Sequence, residues 1–108
     1  MQRIMLKSKI HNAIVTQTNI SYAGSITLDG ALMDAADICE HERVQVVNLN
    51  NGTRFETYAI RGKDASGVIC LNGPAARMAI AGDRVHILSY ALKNEDERVI
   101  HTPKIIMP

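Results

Sequence analysis

The chain has 108 residues, with 12 Lys and Arg against 11 Asp and Glu and a formal net charge of +1. That length supports one domain with a single modest core, which self-association can complete. The cations are scattered over separate segments, so the composition excludes a broad phosphate-binding face and, with it, nucleic acid as a partner. Met1 to Lys9 lacks an apolar stretch of signal-peptide type, and no run approaches membrane-spanning length. Cys39 and Cys70 lie in apolar contexts without CxxC spacing and are expected as buried free thiols of a reducing compartment. The expectation is a cytoplasmic chain with no membrane partner.

In chain order, Lys9 to Thr16 alternates as a strand. Ile10, Asn12, Ile14 and Thr16 are predicted on one face, Lys9, His11, Ala13 and Val15 on the other. Gln17 to Tyr22 is polar and predicted as a turn that delivers Gly24-Ser25, and Ser25 to Leu28 is a short strand. Asp29 caps a short helix built on Ala31, Leu32, Met33, Ala35 and Ala36, ending before Glu40. Arg43 to Asn48 and Thr53 to Ile60 form strands joined through Asn51-Gly52, a strong hairpin signal. On the second of these, Arg54, Glu56, Tyr58 and Ile60 share a face. Gly62 to Gly67 is a turn and Val68 to Leu71 a buried strand, broken by Asn72-Gly73-Pro74. Pro74 suits the first turn of a short helix through Met78. Arg84 to Ala91 is a further strand, Asn94 to Arg98 a solvated charged turn, and Ile105-Ile106 an edge strand.

Shifting the chain by 41 residues aligns Ala35 with Ala76, Glu42 with Asp83, Arg43 with Arg84 and Val44 with Val85. Both units are a short Ala-rich helix, an acid-Arg-Val start and a strand. The predicted fold is mainly β: a small barrel with short helices, made of two halves related by a pseudo-twofold.

Few residues are arranged for chemistry. His11, His41, His86 and His101 have no metal-ligand spacing, so no metal is expected, and His41 and His101 are placed at the surface. No Gly-rich phosphate loop and no G-x-S-x-G elbow occurs. Gly24-Ser25 has an ordinary reading as a turn, in which glycine supplies the backbone freedom and serine a hydrogen bond. Its chemical reading is a strained bond open to attack by the serine hydroxyl. Lys9, His11, Tyr22, Arg54, Thr57, Tyr58 and Asn72 complete a set of polar side chains on apolar β-scaffolding. Each alone is equally at home as a solvated cation, an edge aromatic or a turn former.

Taken together, these residues resemble the bacterial aspartate 1-decarboxylases, a pyruvoyl-dependent family. The matching stretches are Met5 to His11, Tyr22 to Thr27 (YAGSIT), Val47 to Gly52, Arg54 to Tyr58 (RFETY) and Ile69 to Gly73 with Ala75 to Arg77. Similarity in order and spacing runs from the N-terminus to about residue 97. Pro74 departs from the family pattern, where alanine is commoner, and it removes a backbone N–H from that position.

The resemblance implies a double-psi β-barrel, a homotetramer with active sites at subunit boundaries, and conversion of L-aspartate to β-alanine for pantothenate and coenzyme A synthesis. It also implies self-cleavage between Gly24 and Ser25 into residues 1–24 and 25–108. Ser25 becomes a pyruvoyl group and Thr57 assists at the oxyanion. A ketone that forms a Schiff base with the substrate amine is an electron sink, the role PLP plays elsewhere, so neither PLP nor metal is expected. Lys9 and Arg54 are implied as clamps for a dicarboxylate, and Tyr58 as proton donor. Asn72 orients the site, and Gly73, Pro74 and Ala75 border the substrate, with His11 and Tyr22 in support. Two alternatives stand beside this reading: a non-enzymatic β-barrel binding or assembly module, and a pyruvoyl decarboxylase of another amino acid. The first has no need of Gly24-Ser25, Arg54 and Tyr58 together. The Lys9 and Arg54 pair favours a dicarboxylic substrate over the second.

Overall fold

Valine and isoleucine at alternate positions drive half of this chain into strands, and Asp29 and Pro74 open its two central helical turns. The computed structural model describes all 108 residues. The order is β1 (Gln2–Ile14), β2 (Gln17–Asn19), β3 (Ser25–Asp29), α1 (Gly30–Ala35), β4 (Arg43–Asn48), β5 (Arg54–Gly62), β6 (Ile69–Asn72), a 3-10 turn (Gly73–Arg77), β7 (Arg84–Asn94), α2 (Glu95–Val99) and β8 (Lys104–Ile106).

The strands form one mixed sheet in the order β2-β6-β3-β5-β4-β7-β1-β8. β1 and β2 are nearly one continuous segment, yet β1 pairs with β7 towards one end of this order and β2 with β6 at the other. The sheet therefore curls back on itself and closes. At the closing corner the Val15 amide donates to Asp83 O at 2.9 Å and the Thr16 amide to Ile69 O at 2.8 Å. The interior is filled by Ile10, Ala13, Val15, Ile26, Leu28, Met33, Val44, Val46, Leu71, Val85 and Ile87, all buried.

The twofold echo is visible in the pairings. β3 and β6 run antiparallel side by side, and so do β4 and β7. Each partner then has a matching outer neighbour: β5 lies parallel to β3 as β2 lies parallel to β6, and β5 lies antiparallel to β4 as β1 lies antiparallel to β7. This is the mainly β, double-psi barrel architecture of two related halves.

Several local expectations are corrected. β1 starts at Gln2 because Gln2 to Leu6 pairs with the far end of β7, Tyr90 to Asn94. Its single alternating phase fails: Ile10, Ala13 and Val15 are all buried, while Asn12 and Ile14 are exposed. The cause is a bulge between Ile10 and Ala13, where Asn12 takes φ +57° and the extra residue exchanges the two faces. Gln17 to Asn19 is strand β2, stabilised by its pairing with β6, rather than a turn.

Asn51-Gly52 does carry β4 back into β5, with Gly52 at φ +77°. The connection is longer than a two-residue turn because Asn48 Oδ1 accepts from the Asn50 amide at 2.8 Å and peels the chain off the ladder early. Where a charged turn is expected, Glu95–Val99 is helical, held by a capping box between Asn94 and Glu97. Cys39 is exposed, since Ala36 and Ile38 take the inward positions of that loop; Cys70 is buried. His101 is half-buried, its Nε2 2.6 Å from Leu6 O. No helix is long and apolar enough to cross a membrane.

Candidate active site

β6 does not break before Asn72 but ends on it, and this sets the centre of the site. In the antiparallel seam with β3, Ser25 lies opposite Asn72 and Thr27 opposite Cys70. Because side chains alternate along a strand, these four project from one face. Asn72 Nδ2 donates to Ser25 Oγ and to Thr27 Oγ1, each at 3.0 Å. The Cys70 thiol donates to Asn72 Oδ1 at 3.2 Å. Ser25, Cys70 and Asn72 are buried, so these bonds do not compete with bulk water.

The backbone entering the seam is strained. Gly24 has φ +129° and Ser25 φ +106°. A residue with a Cβ in so sparsely populated a region costs on the order of 1–3 kcal/mol, which the surrounding structure must hold. Gly73, at φ +63°, helps to hold it: a Cβ there would lie 2.7 Å from both Gly24 N and Tyr22 O. Only glycine lets the start of the 3-10 turn press against the loop that carries the Gly24–Ser25 bond.

A cleft of about 360 Å³ opens beside this bond, lined by Ala23, Gly24, Ser25, Phe55 to Tyr58, Asn72, Pro74, Ala75 and Met78. Its position follows from the strand pairing. β3 meets β5 in parallel from Ile26 opposite Ala59, and continuing this register by one residue sets Ser25 beside Tyr58. Before Tyr58, β5 is paired only with β4, and its other edge is free. That open edge offers both strand faces to the cleft, so Phe55 and Thr57 line it together with Glu56 and Tyr58. Tyr58 is 40% exposed and its ring lies 6.5 Å from that of His41.

Ala23, Phe55, Glu56 and Met78 were not among the residues singled out from sequence. Phe55 and Glu56 sit inside the RFETY stretch, but only the missing neighbour strand makes both faces accessible. Met78 is held from behind, its carbonyl accepting from Asn48 Nδ2, Asn51 Nδ2 and Thr53 Oγ1. The seam and cleft thus gather Gly24, Ser25, Thr57, Tyr58, Asn72, Gly73, Pro74 and Ala75.

The structure leaves Lys9, His11 and Arg54 apart from this cluster. Lys9 lies opposite Leu88, which lies opposite Gln45, which lies opposite Glu56, so Lys9 is three strands from β5, roughly 14 Å at normal strand spacing. Arg54 precedes Tyr58 by four residues, about 13 Å along the strand. These residues belong to the sheet face turned away from the core, where Arg54 Nη1 donates to Gln45 Oε1 at 2.9 Å. His11 stacks on His86 with ring centres 4.2 Å apart, and the Asn12 amide donates to His86 Nδ1 at 3.1 Å. Partial burial, then the nearby Lys9 and His11, hold the His86 pKa below its ordinary value. Tyr22 is exposed and contributes its carbonyl rather than its ring to the packing against Gly73. The only charged residue lining the cleft is Glu56, whose carboxylate is paired with Arg43.

A family model described as aspartate decarboxylase matches residues 1–108. A protein of Kosmotoga olearia named aspartate 1-decarboxylase is 62% identical over 106 residues, covering 98% of this chain and 90% of the relative. One of Thermoanaerobacter pseudethanolicus with the same name is 56% identical over 106 residues, covering 98% and 91%. A third, from Caldicellulosiruptor saccharolyticus, is 58% identical over 102 residues, covering 94% and 80%.

Proposed function

The chain belongs to the aspartate decarboxylase family, and from that premise we propose that Ser25 is the residue converted to the catalytic group and that the cleft beside it is where aspartate reacts. The activity is that of an aspartate 1-decarboxylase, a carboxy-lyase that converts L-aspartate to β-alanine and carbon dioxide in the pantothenate pathway. The cofactor of this family is a covalent pyruvoyl group made from a serine.

The observation that carries the assignment to Ser25 is the conjunction of strain and support at one bond. Gly24 and Ser25 are both at positive φ, Gly73 admits no Cβ against them, and the Ser25 hydroxyl already has a donor in Asn72. In the cleavage reaction Ser25 Oγ bonds to the Gly24 carbonyl carbon, the Gly24–Ser25 C–N bond breaks, and the hydroxyl proton passes to the Ser25 nitrogen. The resulting ester eliminates: Ser25 loses its Cα proton, the Cβ–Oγ bond breaks, and Gly24 leaves as a carboxylate. One water then replaces the nitrogen at residue 25 with oxygen and ammonia is released. Thr57, on the cleft wall, is placed to donate to the oxygen that becomes negative in the first step.

Once formed, the pyruvoyl group supplies the ketone that engages the substrate amine and takes up the electron pair left by carbon dioxide. The chain's own residues do the rest. Tyr58 holds a proton on its phenol at the cleft rim for return to the substrate carbon. Phe55, Ala75 and Met78 give apolar walls that exclude water and strengthen each polar contact. Pro74 can offer only its ring and carbonyl, so amide contacts fall to its neighbours. Arg54 supplies a bidentate fork for a carboxylate and Lys9 a point charge.

Because no cation lines the cleft of one chain, we place Lys9 at the cleft of a neighbouring copy in a homotetramer, with the active site at the subunit boundary. Exposed Ile4, Tyr90 and Leu92 beside this cationic face support its burial on assembly. Size-exclusion chromatography with light scattering tests the assembly, and a monomer that still turns over aspartate contradicts it. For the site itself, Ser25→Ala should remove both chain cleavage and carbon dioxide release. A Ser25→Ala protein that keeps either one refutes the assignment.

A further inference from the structure

In the β3–β6 seam, the buried Cys70 thiol takes no part in the cleavage or decarboxylation steps. Cys70 is buried at 3% exposure. Its thiol is 3.2 Å from Asn72 Oδ1, and its only other polar neighbour, Leu71 O, is at 4.0 Å. We propose that Cys70 is a positioning residue for cleavage of the Gly24–Ser25 bond, acting through the orientation of the Asn72 amide. The inference rests on the assignment of Ser25 as the reacting residue.

Asn72 contacts three groups: the hydroxyls of Ser25 and Thr27 at one end of its amide and the thiol at the other. Both hydroxyls can donate or accept, so they fit either end of the amide equally. The thiol is different: its sulfur is a poor acceptor, whereas its S–H can donate to Oδ1. The amide therefore settles with the carbonyl towards Cys70 and the NH2 towards Ser25.

That choice matters chemically. Oγ gains negative character twice, when the hydroxyl gives up its proton and when it departs within the Gly24 carboxylate. A donor aimed at Oγ favours both steps, whereas a flipped amide would present an acceptor and oppose them. Cross-strand register places the group that makes the selection. Cys70 sits opposite Thr27 and Asn72 opposite Ser25, so the thiol, the amide and both hydroxyls share one strand face.

The test compares substitutions matched in size and differing only in a donor. Uncleaved chains are prepared by rapid expression and their conversion is followed by denaturing mass spectrometry. Cys70→Ser keeps a donor, but its hydroxyl also accepts from the flipped amide, so about half the amides stay correctly oriented and the rate should fall by no more than about twofold. Cys70→Ala leaves Oδ1 without a donor and should be slower by about three- to tenfold, the worth of one neutral hydrogen bond. C70T and C70V repeat the comparison at larger volume, so either pair decides the matter where the other does not fold. A purely structural role predicts equal rates within each pair at equal melting temperature, and that result overturns the inference. A native chain that never cleaves overturns the Ser25 assignment itself, and this inference with it.

Discussion

The β3–β6 seam and the outer face of β1, β7, β4 and β5 both carry polar residues, under opposite conditions. In the seam, Ser25, Cys70 and Asn72 are buried and joined in a chain of hydrogen bonds. On the outer face, Lys9, His11 and Arg54 are partly or fully exposed, Lys9 and His11 on β1 three strands from β5 and Arg54 at the start of β5, next to the cleft residue Phe55. The hydrogen bonds of the seam all join residues of one chain. The outer face carries Lys9, the charge proposed to meet a substrate across an interface. Bond cleavage should therefore be a property of one folded chain, and substrate capture a property of the assembly.

Arg54→Ala is the sharpest way to separate the two. It should leave cleavage intact while raising KM for aspartate by about 10- to 100-fold, as expected for loss of a charged hydrogen-bonding partner. Steady-state kinetics on fully cleaved protein measures this, and loss of cleavage in the variant would break the division between regions.

Gly73→Ala strikes the seam instead. Its Cβ would come within 2.7 Å of Gly24 N and Tyr22 O, with the residue already at φ +63°. The uncleaved chain should lose about 1–3 kcal/mol of stability in denaturant titration and cleave more slowly. Unchanged cleavage would show that the close packing against Gly24 is unnecessary.

The smallest effect belongs to the outer face. The pKa of His86 is held below its ordinary value of 6.5, so the folded chain favours the neutral ring. The unfolded chain takes up a proton first as pH falls below 6.5, and stability declines through that window until the folded ring is also protonated. His86→Gln should flatten this part of the decline when melting temperatures are compared from about pH 7.5 down to about pH 5. An unaltered slope would remove His86 from the account.

How far these regions were legible in the sequence differs as well. Asp29 as a helix cap, the β4–β5 hairpin and the duplicated helix-strand unit rest on local chemistry or repetition, and the structure contains all three. The face assignments along β1 failed because a bulge at Asn12 has no reliable composition signal. β2 was missed because its strand character comes from a partner, β6, some fifty residues away in the chain. α2 could have been found from Asn94 and Glu97 as a capping box, but its run of charges suggests a solvated turn. At the site, the resemblance pointed to Ser25, Thr57, Tyr58 and Asn72. It could not reveal Cys70, whose position depends on strand register, or Phe55, which reaches the cleft because β5 has a free edge there.

The central claim is that the Gly24–Ser25 bond is made to break. Denaturing mass spectrometry on a purified uncleaved chain, followed over time, tests it most directly. The expected products are fragments 1–24 and 25–108, the larger one lighter by one ammonia than a fragment headed by serine. A chain that retains the full 108-residue mass while releasing carbon dioxide from aspartate would contradict it.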